Sequence, residues 1–528
     1  MPASAPAFDA VLLSRADETP HQPLFTFAGQ PTVTAAQYAE HVGRAAAVLT
    51  AAGVGRGDRV AVWSENSLAW LILLGAAAWR GAVLVTLHPG LTTPELLSAL
   101  QRSRPAVLFA ARRIRDRDVS QTASHVTDLP VTMMETELGG SVLAGQPGWT
   151  DRPPAPVADP DRPLNVQFTS GTTGAPKMVM LTGRNLVRNA TWTAQAAGIR
   201  GDDRISCPLP FAHAAGLSSG AVLAAVTGAH LVSAPRFHPD VVLDGVARHR
   251  CTVLQMVPTM ATMLADRLDE RPGLWDISSL RLGFLGGAFC PPGLRQRIRQ
   301  ALGLSRLAVV YGQTEAGPTI SVDPDDGSCR PAGETVGRVL PPLRARIVTV
   351  ARSDEEAAHP ASVEGELQVR GESITPGYLD DPAANHEAFT ADGWLRTGDL
   401  GRLADDGTLT LTGRVKELII RGGENVSPAE VETALVEQDG VGQACVVGVP
   451  CARWGEEVAA LLVAAPGVAL RVDLVAESVM ARLARHKVPT RWRVVPRLPL
   501  LPSGKVDRLA ATGLVEPSEP AAVHRETQ

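Results

Sequence analysis

Apolar positions along the chain switch repeatedly between helical and strand spacing. The stretch "TAAQYAEHVGRAAAVLTAAGV", Thr34 to Val54, reads as an amphipathic helix; after Gly57-Asp58 the apolar "RVAVWS" reads as a strand. This alternation predicts an α/β architecture. Further on, "ARIVTV", "GELQVRG" and "GTLTLTG" read as short strands closed by glycine turns, an antiparallel or barrel-like subdomain near residues 325–412. A boundary is expected after Gly413. Beyond it "ELII" is a strand, Ser427-Pro428-Ala429-Glu430 supplies an N-cap, a first-turn proline and a capping-box glutamate, and "QACVVGVP" is the next strand. The predicted organisation is a large N-terminal domain of stacked α/β subdomains with a barrel-like β subdomain over 1–413, a connection at 414–416, a small α+β C-terminal domain over 417–514, and a polar tail from 515.

The chain's 528 residues suit several domain-sized units and a large core. The longest apolar run, "AWLILLGAAAW" from Ala69 to Trp79, stops at Arg80 and is too short for a bilayer, so it predicts a core helix. No secretory pattern opens the chain, and a cytoplasmic location is expected. A formal charge of −5 points to neither nucleic acid nor an anionic membrane as partner. The six cysteines, Cys207, Cys251, Cys290, Cys329, Cys445 and Cys451, lack zinc-site spacing and read as reduced thiols.

Of 50 lysines plus arginines only four are lysine, at 177, 416, 487 and 505. A coding bias toward arginine accounts for the scarcity, but it makes the exceptions informative. Ammonium is a compact point charge and guanidinium a wide planar fork, so a site built for the first does not accept the second. Lys177 ends "TSGTTGAPK", where Gly171 and Gly174 stand among the hydroxyls of Thr169, Ser170, Thr172 and Thr173. Such a loop suits a polyphosphate: glycines turn backbone N–H groups toward the anion, hydroxyls add donors, and the lysine adds full charge. A Walker A loop is excluded, because Lys177 follows Gly174 by three positions, Met178 replaces the Ser/Thr, and "VMLT" reads as a strand.

With these motifs in order, from the N-terminal helices to "LPSGKVDR", the chain resembles the adenylate-forming superfamily, in its acyl- and aryl-CoA synthetase branch. That resemblance implies that Thr169, Ser170, Gly171, Thr172, Thr173, Gly174 and Lys177 hold the outer phosphates of ATP, with Met178 standing where the family commonly has glycine. It implies likewise that in "YGQTEAG" Tyr311 stacks on adenine beside Gly312 and Gln313, Thr314 bonds the α-phosphate, and Glu315 holds Mg²⁺. By the same likeness Gly286, Gly287 and Ala288 of "LGGAF" cover adenine's other face. Asp399 in "WLRTGDLG" would receive the ribose hydroxyls, with Arg414 as a second contact. Lys416 would lie on a hinge about which a mobile C-terminal domain rotates. Lys505 would reach the acyl carboxylate and the bridging phosphate oxygen, and Gly422 and Gly423 would border a pantetheine channel. Lys487 reads as structural.

The implied reaction forms acyl-AMP and pyrophosphate from a carboxylic acid and MgATP, then acyl-CoA and AMP. His213 in "PLPFAHAAGL" is placed by the resemblance near the reacting carboxylate. No aspartate occurs between Pro208 and Ser219 to receive an α-ammonium, and the small residues Ala212, Ala214, Ala215, Gly216, Gly286 and Gly287 suggest room for a bulky, largely apolar acid. Free CoA is the expected acceptor, since no carrier-domain serine motif follows. An acyl-AMP ligase loading a separate carrier protein and a catalytically idle nucleotide-binding homologue are the alternatives, and a homodimer is compatible with the reading.

Overall fold

The computed structural model describes residues 6–115, 117–134, 153–169, 176–288, 290, 292–325, 335–349, 364–421, 424–451, 454–465, 467–501 and 506–515. The chain is a mixed α/β protein whose contacts divide it into two compact units: Met1–Ala345 with Gln368–Arg396 and Asp405–Leu409, and Arg346–Leu367 with Thr397–Ala404 and Thr410–Gln528.

The larger unit is built on two sheets. One has six strands in the order Lys177–Thr182, Pro163–Thr169, Val83–Leu87, Arg59–Trp63, Val107–Ala111, Val131–Met134. All neighbours run parallel except the first pair. The other has nine strands, with a parallel centre formed by Arg306–Gly312, Leu282–Gly286, Val253–Met256, Arg204–Ser206, His230–Ser233 and Pro23–Phe27. Parallel strands need crossover helices and bury both faces, which is why Val83–Leu87 and Val107–Ala111 are buried at every position.

The apolar run forms the helix Leu68–Arg80, buried along almost its whole length. Ser67 caps it by accepting from the Trp70 N–H, and Gly81 at φ 67 ends it in the left-handed conformation that glycine tolerates. The helix Ala35–Ala51 opens with a capping box of Thr34 and Gln37. The strands predicted for the subdomain near 325–412 are present as Arg344–Val348, Gly365–Arg370 and Leu409–Arg414, with Leu395–Leu403 added. Among the described residues, no helix is long and apolar enough to cross a membrane.

In the smaller unit the strands run Glu424–Val426, Ile419–Arg421, Gly455–Ala464, Val441–Cys451, with Arg491–Val494 parallel to Gly455–Ala464. Val431 and Leu435 of the helix Pro428–Val436 pack on one face of this sheet with Val446, Val458 and Val479. Ala511 of the helix Arg508–Val515 packs on the other with Cys445, Val447 and Leu461. The capping box expected at Ser427 does not form. Ser427 holds the cap position, but its hydroxyl donates to the Thr412 carbonyl and no side-chain cap bond is made. Glu430 instead accepts both contacts of Lys487, at 2.7 and 2.8 Å.

Candidate functional site

The phosphate-type loop is framed by the antiparallel pair Pro163–Thr169 and Lys177–Thr182, in which Thr169 and Lys177 are register partners. The loop's two ends therefore start side by side; Ser170, Gly171, Thr172, Thr173 and Gly174 lie outside the described residues. Met178, one step further, is buried in the core with Val85, Val166 and Leu108. Its apolar side chain fits because both faces of this strand are covered: Val179 and Leu181 on the opposite face are buried as well.

The segment Gly377–Leu379 lies along the Lys177 strand: the Leu379 N–H donates to the Met178 carbonyl at 2.8 Å and the Met180 N–H to the Gly377 carbonyl at 3.0 Å. That placement sets the Tyr378 ring beneath Lys177, whose Nζ is 4.8 Å from the ring centroid. Lys177 also lies 3.8 Å from Glu387 Oε2. The Tyr378 hydroxyl in turn donates to Glu315 Oε1 at 2.9 Å. Burial, then the Glu315 charge and that hydrogen bond, raise Tyr378 well above the ordinary phenol range, so it remains a donor. Glu315 lies in the 3-10 turn Thr314–Ala316 that follows the strand Arg306–Gly312, and its carbonyl accepts from the Thr375 N–H at 2.8 Å. Sequence reasoning misses Tyr378, and no local pattern in "ITPGYLDDP" signals it.

Tyr311 and Gly312 end that strand, and Thr314 opens the turn. A Cβ on Gly312 would stand 1.9 Å from the Pro318 carbonyl, so only glycine lets the chain double back there. Gly286 closes the neighbouring strand Leu282–Gly286, pairing with Val310; Gly287 follows at φ 85, then Ala288. The Gln313 Nε2 is buried with no hydrogen-bond partner among the described residues.

His213 precedes an eight-residue π-helix, Ala215–Val222, and its ring lies 5.4 Å from that of His88, centroid to centroid. His88 has no signal in the sequence. Burial, and next the charge of Arg115, hold its pKa below the usual imidazole value against an opposing Glu95, and its Nδ1 accepts from the Gly90 N–H at 3.1 Å. The proton of the neutral ring is thus on Nε2. The π-helix is fixed by the Ser218 hydroxyl donating to the Gly317 carbonyl at 2.9 Å and by Gln255 Nε2 donating to the Ser219 carbonyl. Two of the six small residues expected to leave acyl space, Gly216 and Gly286, are instead close-packing positions. A Cβ on Gly216 would meet the Pro210 carbonyl at 2.3 Å, and one on Gly286 the Val310 carbonyl at 3.0 Å.

In the smaller unit, Asp399 is buried at 3% exposure and its Oδ1 is 2.7 Å from Arg414 Nε. Arg414 leads into the 3-10 turn Val415–Glu417, where Lys416 is exposed. Gly422, Gly423 and Lys505 lie outside the described residues.

The residues present fit a nucleotide and a hard cation. Glu315 carries a carboxylate that a neutral hydroxyl orients and that forms no ion pair among the described residues, the oxygen donor that Mg²⁺ prefers. The unpartnered Gln313 amide offers a donor to an acceptor atom. No group of three or more metal-binding side chains occurs among the described residues.

Comparison with known proteins agrees with this. The AMP-binding enzyme model matches residues 12–379 and the AMP-binding enzyme C-terminal domain model residues 430–505. A methyl-dioxo-octahydroindenyl-propanoyl:CoA ligase of Rhodococcus jostii is 36% identical over 495 residues, covering 90% of this chain and 93% of the relative. The crystal structure of ATP-bound MatB from Rhodopseudomonas palustris superposes with a TM-score of 0.86 at 28% identity, covering 96% of this chain and 99% of that one. O-succinylbenzoate coenzyme A synthetase of Bacillus subtilis, in complex with ATP and magnesium ion, gives 0.79 at 29% identity, covering 95% and 98%. The chain belongs to the AMP-binding enzyme family, in its acyl-CoA synthetase branch, and is an ATP-dependent, AMP-forming acid–thiol ligase.

Proposed function

We propose that the acid activated is bulky, largely apolar and without an α-amine, and that free CoA is the acceptor. The observation that carries the nucleotide half is the line Lys177–Tyr378–Glu315, which sets a cation and a fixed carboxylate at the end of the glycine loop. In this reading Thr169 to Gly174 and Lys177 bind the outer phosphates and Thr314 the α-phosphate. Tyr311 stacks on adenine beside Gly312 and Gln313, with Gly286, Gly287 and Ala288 over the other face. Asp399, oriented by Arg414, accepts the ribose hydroxyls. Glu315 would hold Mg²⁺, which when bound would supply charge compensation to the phosphates.

An oxygen of the acid attacks the α-phosphorus and pyrophosphate leaves; then the CoA thiolate attacks the acyl carbon and AMP leaves. Lys505 neutralises the charge developing in the first step, the kind of preorganised electrostatic work on which such transfers depend. His213 lies at the reacting carboxylate. The organisation is an N-terminal domain to residue 413, a hinge at 414–416 turning on Lys416, a mobile C-terminal domain to 514 and a tail. That domain presents Gly422 and Gly423 to the pantetheine arm in the second step. An acid without an α-amine is supported by the lack of aspartate between Pro208 and Ser219. The Rhodococcus relative is named for a fused-ring propanoyl group, an acid of this kind. Pyrophosphate exchange across a panel of acids, followed by thioester assays with CoA and with a carrier protein side by side, tests the reading. Activity confined to amino acids, or transfer only to the carrier, overturns it.

A further inference from the structure

Arg508 opens the helix Arg508–Val515, three residues after Lys505 in the sequence. Its guanidinium grips Glu432 with both terminal nitrogens, Nη1 to Oε1 at 2.7 Å and Nη2 to Oε2 at 3.1 Å. Nη1 also donates to the Val446 carbonyl at 2.6 Å, and Glu432 Oε1 accepts from the Val446 N–H at 2.8 Å. The third guanidinium nitrogen, Nε, lies 3.1 Å from Glu417 Oε2. Glu417 closes the turn Val415–Glu417 that contains Lys416. One planar fork thus joins four elements: the helix after the lysine loop, the helix Pro428–Val436, the strand Val441–Cys451 and the hinge turn.

We infer that Arg508 is a positioning residue for adenylation: it makes the base of the Lys505 loop and the hinge turn a single mechanical piece. The inference rests on the reading of Lys505 as the adenylation cation. Lysine in its place keeps the charge but loses the fork, and one ammonium does not reach Glu432 bidentately and Glu417 together. The small unit's sheet does not depend on this side chain alone, because Ala511 and its apolar neighbours also seat the helix.

The test uses the full chain and two assays: ATP–pyrophosphate exchange for adenylation, and thioester formation from supplied acyl-adenylate and CoA. Arg508→Lys is expected to lower the adenylation kcat about 10- to 100-fold, the scale of an ångström's misplacement, with KM for ATP and acid within about twofold. Thioester formation should fall less than about threefold. Glu417→Gln should lower adenylation selectively by about 3- to 10-fold, and the double variant should be no worse than Arg508→Lys, since both break one clamp.

A merely structural cross-link would lower the melting temperature and depress both half-reactions alike; that outcome, or additive effects in the double variant, overturns the proposal. If Arg508→Lys melts below assay temperature, Glu417→Gln decides alone, and an equal or absent effect on the two half-reactions is fatal. Lys505→Ala separates the layers. Retained adenylation there sinks the reading of Lys505; lost adenylation together with an unselective Arg508→Lys sinks only the clamp.

Discussion

Replacing Tyr378 by phenylalanine removes one oxygen and leaves the rest of the site nearly unchanged. The ring stays beneath Lys177 at the 4.8 Å that a cation–π contact needs, so the ammonium keeps its support. What is lost is the 2.9 Å hydrogen bond to Glu315 Oε1. A hydrogen bond to a charged group is worth about 1.5–3 kcal/mol net, or roughly 10- to 150-fold in an equilibrium constant. Partners that orient a metal-binding carboxylate cost about 10- to 100-fold when removed, a consistent figure. Glu315 is only partly buried, and water replaces some of the lost donor, so the lower end applies. The half-saturating Mg²⁺ concentration in ATP–pyrophosphate exchange should rise about tenfold, while KM for ATP at saturating Mg²⁺ moves less than about twofold because Lys177 is undisturbed. A Mg²⁺ titration that overlays the wild type, in a variant with an unchanged melt, refutes the reasoning.

Glu315→Gln should raise the Mg²⁺ requirement further than Tyr378→Phe, and combining the two should add nothing, because both act through one carboxylate; additive effects would separate them. Lys416→Pro should leave adenylation comparatively active and depress CoA-dependent turnover. Proline's fixed φ suits the 3-10 turn holding Lys416 and resists rearrangement; wild-type rates in both half-reactions would end the hinge reading. His230, held neutral to about pH 4 mainly by burial, with His249 and Arg204 adding to the shift, should make stability pH-dependent. The unfolded chain takes up that proton near 6.5, so the contribution is complete above about 6.5 and is lost as pH falls toward 4, up to ~3 kcal/mol. Melts of His230→Asn should be flatter across that window, and parallel curves would remove His230 as the cause.

Elements whose signal is local were legible in the sequence: the strand patterns "RVAVWS" and "QACVVGVP" became Arg59–Trp63 and Val441–Cys451. What escaped depends on partners far along the chain. Tyr378 meets Glu315 across 63 positions, and His88, just past the strand Val83–Leu87, faces His213 more than a hundred positions on. Ser427 carried a cap signature, yet competition for its hydroxyl by the Thr412 carbonyl, and for Glu430 by Lys487, decided the outcome. Such competition between local and tertiary partners has no sequence signal. Gly216 shows the converse error: smallness that suggested space reflects carbonyls pressed against the backbone.

The π-helix at Ala215–Val222 has a consequence for how this protein could be re-engineered or could diverge. A π-turn closes its hydrogen bonds one residue later than an α-turn, so it behaves as an α-helix carrying extra chain. Substitutions along it alter texture, but deleting a single residue would restore the α ladder and swing the following segment Leu223–Thr227 by about 100°. A deletion before Ser218 would also turn Ser218 and Ser219 away from Gly317 and Gln255, to which they are bound from adjacent positions. Chain length within this one helix therefore resets the path of Leu223–Thr227 more coarsely than any side-chain change along it can.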